Sequence, residues 1–248
     1  MTERKQLLRV VILITLLGIV GCKKAERYAQ FSNEDQAMSW SEEREKTFGD
    51  YDYTKIKTEK DAFDILQDKY KVLIPTYYKE MNKTLSNNLT SKTVQLKGTN
   101  YAIFARNKEL DFQAVSSFYR GNELQAFSEI NLKYVYSLEK KEAYLKSQTV
   151  SIKIAPVKGK LPNNNETELI EAIGKNMKMS DKQISEGIAG YEKQVKESNE
   201  RLTSDYTPVV SNSNDFNKSK EFLKEIAVGH DQEGTLREIY AEISDQQD

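Results

Sequence analysis

The chain of 248 residues carries 37 basic and 38 acidic residues, and its formal net charge is −1. Because the two signs are interspersed, the chain lacks the basic patch with which proteins bind nucleic acid, and we expect no nucleic-acid partner. Four prolines and eleven glycines are too few for a largely disordered chain, so the composition predicts a folded protein.

The N-terminus has the three parts of a secretory signal. Residues 1–9 are basic, residues 10–20 are apolar except for Thr15, and small residues follow. A helix that spans a bilayer needs about 20 apolar residues, whereas Lys23 and Lys24 end this run well short of that length. We therefore interpret the run as an export signal and not as a membrane span.

Residues 19–22, with the sequence Ile-Val-Gly-Cys, contain the only cysteine of the chain. They resemble the lipobox of bacterial lipoproteins. The resemblance implies that the Cys22 sulfur receives a diacylglyceryl group and that the chain is cut between Gly21 and Cys22. The protein would then be held on the extracytoplasmic face of the cell membrane. Two acyl chains anchor a protein stably, and Lys23 and Lys24 would favour anionic headgroups.

The alternative for Cys22 is a buried core cysteine after a short membrane-proximal helix.

No second cysteine is present, so an exported domain must hold its fold by core packing without an internal disulfide. The richness in Lys, Asn and Ile resembles the composition of low-GC Gram-positive bacteria.

Residues 22–57 are polar and charged without a sustained hydrophobic period. We predict that they form a lipidated flexible tether, whose root-mean-square reach as a random coil would be roughly 30 Å. Alternatively, Trp40 and Phe48 could make this segment a docking motif.

Residues 58–207 are predicted to form an α+β domain that opens with a helical hairpin. Thr58 and Asp61 resemble a helix N-terminus, and apolar residues at helical spacing continue as far as Pro75, which breaks the helix. A second amphipathic stretch runs on to Asn88.

The hydrophobic period changes to two between Val94 and Ile154. Alternating apolar residues, separated by turn sequences such as residues 106–108 and 120–122, predict an antiparallel meander of four to five strands.

Helical spacing returns after Asn165. A long helix is predicted from Ser180 to about Tyr206, and residues 208–248 are predicted to be a C-terminal helical segment packed on the same domain. The apolar positions of the last helix are Leu236, Ile239, Tyr240 and Ile243. The predicted fold class is therefore α+β, with an N-terminal helical hairpin, a meander sheet and C-terminal helices that include one long helix.

Few residues offer catalytic or metal-binding chemistry. The one histidine, His230, follows Gly229, and we expect it to be exposed at the end of a helix. A Ser-His-acid site would instead need this histidine in a cleft. Zinc sites rely on Cys and His, the acid-rich segments lack the glycine and glutamate of a calcium loop, and no phosphate-binding loop follows a strand. We predict no enzyme, no metal and no cofactor apart from the lipid on Cys22.

Aromatic residues are concentrated on the predicted strands. They occupy both parities, so one set is expected to pack under helices while the other set faces outward, where rings can stack on sugars or anchor a partner. The candidates for such a binding surface are Tyr101, Phe104, Phe118, Tyr119, Tyr134 and Tyr136. The alternative is that all of them are strand residues that pack under helices.

These observations favour a non-enzymatic, lipid-anchored surface protein that binds another protein or a component of the cell envelope. A solute-binding lipoprotein of an importer is the alternative, but it would alternate strands and helices in two α/β lobes. A wall-active hydrolase is less favoured, because it would need two carboxylates at catalytic separation in a cleft, and nothing in the sequence singles out such a pair.

Overall fold

Residues 26–155, 161, 166–197 and 206–247 are described by the computed structural model, and in these ranges the chain forms one antiparallel sheet with a layer of helices. The helices are α1 (Asn33–Ala37), α2 (Glu59–Asp64), α3 (Thr76–Leu89), α4 (Glu166–Asn176) and α5 (Asp181–Glu197), with a 3₁₀ turn at Glu26–Tyr28 and a π-helical turn at Ile65–Lys69. The strands are β1 (Ser41–Glu43), β2 (Gly49–Ile56), β3 (Gln95–Asn107), β4 (Glu109–Arg120), β5 (Glu123–Ser137), β6 (Glu142–Ile154), β7 (Thr207–Ser211), β8 (Leu223–His230) and β9 (Leu236–Ser244).

The sheet runs in the order β2-β3-β4-β5-β6-β9-β8-β7. β1 lies beside the first residues of β6, where Ser41 is opposite Tyr144, and β9 pairs with the later residues of β6. β2 and β7 are therefore the two edges of the sheet. The C-terminal strands β9, β8 and β7 extend it beyond β6.

The two faces of the sheet differ in what they contact. On β4, Phe112, Ala114, Ser116 and Phe118 are buried, whereas the residues that alternate with them are half-exposed. Because successive side chains of a strand point to opposite sides, this pattern defines a buried face, the core face, and a half-exposed face, the open face.

The helices pack on the core face. The side-chain oxygen of Thr58 accepts a hydrogen bond from the Asp61 backbone amide at 3.1 Å and so caps α2, and Pro75 precedes the first turn of α3. The buried residues of α3 are Tyr77, Tyr78, Met81, Leu85 and Leu89. At the β7 edge, a Cβ on Gly187 of α5 would lie 2.3 Å from the Val209 carbonyl oxygen, so only glycine allows this close approach.

The predicted fold class is wrong in the size of the sheet and in the C-terminal helices. The described residues form nine strands instead of four to five, and helices are the minor component. Residues 223–230 and 236–244, predicted to be helical, are β8 and β9. The long helix predicted from Ser180 is α5, which ends at Glu197, and residues 198–205 lie outside the described ranges.

The pairing of β9 with β6 and β8 explains why residues 236–244 form a strand and not the predicted helix. Ile239, Ala241 and Ile243 alternate with a period of two, and all three are buried on β9 against β6 and β8. The same segment also satisfies a helical spacing, and burial on the core face decides between the two periods.

Residues 26–56 are part of the fold, where the sequence predicts a tether. β1 and β2 belong to the sheet, the Trp40 ring packs edge-on against Tyr134 with centroids 5.6 Å apart, and Phe48 packs against Tyr70 at 6.2 Å. Both rings are therefore core residues and not an exposed docking motif. Gly21 and Cys22 lie outside the described residues.

Candidate functional site: the open face of the sheet

The open face presents polar and charged side chains across the middle strands. Rows of neighbouring residues cross the sheet, one of them through Gln113, Asn131, Thr149 and Glu242 on β4, β5, β6 and β9. Every residue of this row is half-exposed. The face is therefore in contact with solvent over several strands and offers hydrogen-bond donors and acceptors to a partner.

Two of the six aromatic candidates lie on the open face. Phe104 on β3 and Tyr119 on β4 point to it and are half-exposed. The other four occupy core-face positions: Tyr101, which stacks on Phe112, and the buried residues Phe118, Tyr134 and Tyr136. The structure therefore does not bring the six rings together as one surface.

The aromatic rings of the open face lie beside cationic side chains. Lys97 Nζ is 4.7 Å from the centroid of the Tyr119 ring, and Lys153 Nζ is 5.9 Å from that of Phe127. The Arg106 guanidinium lies 5.9 Å from the Phe104 centroid. Cation–π contacts of this kind stabilise exposed sites by about 0.5–1 kcal/mol, so a stacking ligand would compete with the protein's own cations.

A group of carboxylates and tyrosines on β8 and β9, together with Tyr206 just before β7, is the densest feature of the open face. We call it the carboxylate–tyrosine cluster, and its members are Tyr206, Glu225, Glu238, Tyr240 and Glu242. The Tyr240 hydroxyl donates to Glu242 Oε2 at 3.0 Å, and Tyr206 is hydrogen-bonded to Glu238. Glu238 also accepts from the Ser151 hydroxyl at 2.6 Å.

Two carboxylates of the cluster face each other. Glu225 on β8 is directly opposite Glu242 on β9, and the nearest cation in register is Lys153, which is opposite Glu238. Like charges directly opposite each other on a sheet destabilise it. The sheet therefore holds concentrated negative charge here, which a bound cation of a partner would relieve.

The tyrosines keep their protons next to these carboxylates. Burial raises the pKa of Tyr206 to about 12, and the hydrogen bond and charge of Glu238 act in the same direction. Burial, followed by the charge and hydrogen bond of Glu242, raises the pKa of Tyr240 above its ordinary value. Both phenols are thus neutral donors at neutral pH and orient the carboxylates that accept from them.

The sequence analysis missed this cluster because it predicts helix for residues 223–244. The signal was present in Glu238, Tyr240 and Glu242, which alternate with the buried Ile239, Ala241 and Ile243. An alternation of polar and apolar residues is typical of a half-buried strand.

His230 lies on the core face of β8 and is buried, not exposed at a helix end. The Tyr191 hydroxyl of α5 donates to Glu166 of α4, and His230 Nε2 is 3.0 Å from the same hydroxyl. Since the tyrosine proton is engaged by Glu166, Nε2 carries the imidazole hydrogen and donates to Tyr191. This chain of hydrogen bonds fastens both helices to the sheet.

We expect the folded protein to lose stability as the pH falls below about 6.5. Burial lowers the pKa of His230, against the opposing charges of Glu166 and Asp231, so the unfolded chain takes up a proton that the fold resists. Urea unfolding at pH 7.5 and 5.5 measures this loss. The control is His230→Gln, which keeps an N–H donor without titrating and should lose less free energy between the two pH values. An equal loss in both chains would contradict the assignment.

Two open concavities lie at the edges, one beside β2 and one between β7 and α5, and neither is lined by the cluster. In the described ranges no group of three or more His, Cys, Asp or Glu side chains is arranged to hold a metal ion. None of the helices in those ranges is both long enough and apolar enough to cross a membrane.

Comparison of the chain with protein-family models, with curated protein sequences and with solved structures gave no match.

Proposed function

We propose that this protein is a lipid-anchored, extracytoplasmic lipoprotein that binds a protein or another component of the cell envelope without catalysing a reaction. The anchor rests on the lipobox-like sequence at residues 19–22, which ends in Cys22. The observation that carries the binding role is the open face, where half-exposed polar residues cross several strands and end in the carboxylate–tyrosine cluster.

The chemistry of the cluster favours a partner with cationic groups. Glu225, Glu238 and Glu242 are negative, Tyr206 and Tyr240 stay neutral, and the one basic residue in register with them is Lys153. Hydrogen bonds to charged groups contribute about 1.5–3 kcal/mol each. A basic segment of a protein partner would thus find both charge complementarity and fixed acceptors.

The two alternative functions differ in the architecture that they need. An importer's solute-binding protein is expected to have two lobes around a cleft, whereas the described residues share one sheet and one core cluster. A wall-active hydrolase would need paired carboxylates in a cleft. Glu225 and Glu242 are opposite each other on neighbouring strands, but they lie on an open sheet face and not in a cleft.

The test is to cross-link intact cells that carry a tagged full-length chain and to identify the captured protein by mass spectrometry. We expect one reproducible partner, and we expect Glu225→Gln with Glu242→Gln to reduce its recovery about tenfold, equivalent to about 1.4 kcal/mol. The matched control is Glu186→Gln with Glu192→Gln on α5, which changes the net charge equally on exposed residues away from the open face.

Two results would overturn the proposal. If both double variants recover the partner equally, binding through the cluster is excluded. The same follows if no partner is recovered above background. Mass spectrometry of the same preparation reads the diacylglyceryl group on Cys22, and its absence would exclude the lipid anchor independently.

A further inference from the structure

The first described residues are fixed to the end of the chain by a buried ion pair. Arg27 Nε lies 2.7 Å from Asp245 Oδ2, and the two side chains are 3% and 0% exposed. The same carboxylate oxygen accepts from the Tyr28 hydroxyl at 2.8 Å, and Gln247 exchanges hydrogen bonds with Arg27. The folded body thus begins by residue 27.

This ion pair lies at one end of the strands. Arg27 also reaches Glu142, the first residue of β6, at 3.8 Å. The turn between β5 and β6 also lies at this end of the sheet, because Ser137, the last residue of β5, is opposite Glu142. The turn at Lys108 lies there too, since its carbonyl accepts from the Tyr136 amide at 2.8 Å. We call this the anchored end.

Very little chain separates the anchored end from Cys22. Four residue steps lead from Cys22 to Glu26, and a chain covers at most about 3.3–3.6 Å per residue, so Cys22 lies within about 14 Å of the folded body. β6 has 13 residues, which span roughly 43 Å at about 3.3 Å per residue. The opposite end of the sheet is therefore much farther from Cys22.

The turns of the anchored end suit a membrane surface. Leu138 at the β5–β6 turn is 63% exposed, more than any other large apolar residue among those described. Glu139, Lys140 and Lys141 follow it, and Lys141 Nζ lies 3.2 Å from the exposed carboxylate of Glu45. Lys108 occupies the neighbouring turn. The turns of the opposite end contain instead the uncharged Gly121-Asn122 and, between β8 and β9, Asp231 and Glu233.

We propose that the anchored end rests on the lipid bilayer, with Leu138 at headgroup depth and the adjacent lysines beside anionic headgroups. This inference rests on the lipidation of Cys22. A lysine near an anionic surface is attracted to it electrostatically, and an apolar side chain at the interface adds to this attraction by burial. The strands then stand away from the membrane, and the turns at the opposite end are the part of the molecule farthest from it.

The test uses the full lipidated chain in vesicles that contain anionic phospholipid and a lipid with a spin-labelled headgroup. Because Cys22 is the only cysteine and its sulfur carries the lipid, an introduced cysteine is the one free thiol. Leu138→Cys and the matched control Asn122→Cys, both exposed turn positions, are labelled with the same fluorophore. We expect strong quenching at position 138 and little at position 122.

Equal quenching at both positions, or none at position 138, would overturn the inference. Mass spectrometry of the same sample separates the two proposals. An unmodified Cys22 refutes the lipid anchor itself, whereas a lipidated chain without quenching at position 138 refutes only the orientation of the sheet on the membrane.

Discussion

Replacing Asp35 with Ala is expected to lower the free energy of unfolding by about 3–5 kcal/mol, the usual cost of removing one partner of a buried ion pair. Asp35 Oδ1 lies 2.7 Å from Lys224 Nζ, and the two side chains are 5% and 7% exposed. Lys224 is on the core face of β8, and Asp35 is on α1. Without the carboxylate, an ammonium group is left in the core without its counter-charge.

Urea unfolding at pH 7 measures the effect, and the chain supplies a matched control. Lys60 and Asp64 form a pair of similar length, 2.6 Å, but their side chains are 81% and 47% exposed. Asp64→Ala should change the free energy of unfolding by less than about 1 kcal/mol, because water screens an exposed pair. Equal effects of the two substitutions would show that the Asp35 pair is not buried in solution.

A double substitution separates loss of charge from loss of packing. Asp35→Leu with Lys224→Met replaces the pair by apolar side chains, and such replacements are often neutral or stabilising. We expect the double variant to be more stable than Asp35→Ala. A double variant as unstable as Asp35→Ala would mean that the site depends on its shape and not on its charges.

Lys224 also explains why β8 could not be predicted from the sequence. Phe222, Ile226 and Val228 alternate as strand residues do, but Lys224 stands where a fourth apolar residue is expected. The residue that makes this position compatible with the core is Asp35, 189 positions earlier in the chain. A pattern read locally cannot contain that information.

The strands between Gln95 and Ile154 are easier to recognise, because their partners are neighbours in the sequence. Consecutive strands joined by short turns pair with each other, so alternation along one strand is enough to identify it. The pairing of β9 with β6 is different, since Ile239 lies opposite Ile152 across a long separation. Local alternation cannot reveal which strand a distant segment will join.

The candidate site was predictable only in part for the same reason. The aromatic residues are on strands, but which parity faces the helices depends on where the helices pack. Phe104 and Tyr119 point to the open face, and Phe118 and Tyr134 point to the core. The carboxylate–tyrosine cluster forms only when β8, β9 and Tyr206 come together, and no short stretch of sequence contains it.

Removal of residues 1–57 is expected to abolish folding, although the sequence predicts that a domain begins at residue 58. The shortened chain would lose β1 and β2 and several buried side chains of the core cluster: Tyr28, Phe31, Met38, Trp40 and Phe48. Truncation of one large buried side chain costs about 2–5 kcal/mol, and the total stability of a domain is only about 5–15 kcal/mol. The loss of five such side chains therefore exceeds what the remaining contacts can supply.

Circular dichroism and urea unfolding of two shortened chains decide the question. A chain that starts at residue 26 keeps the Arg27–Asp245 pair and the contact of Trp40 with Tyr134, so it should unfold cooperatively. A chain that starts at Thr58 loses both and also uncovers β3, which pairs with β2; an exposed strand edge of this kind favours aggregation. We expect it to be unfolded or aggregated. Cooperative unfolding of both chains at the same urea concentration would instead make residues 22–57 a tether, and the body of the protein could then stand well away from the membrane.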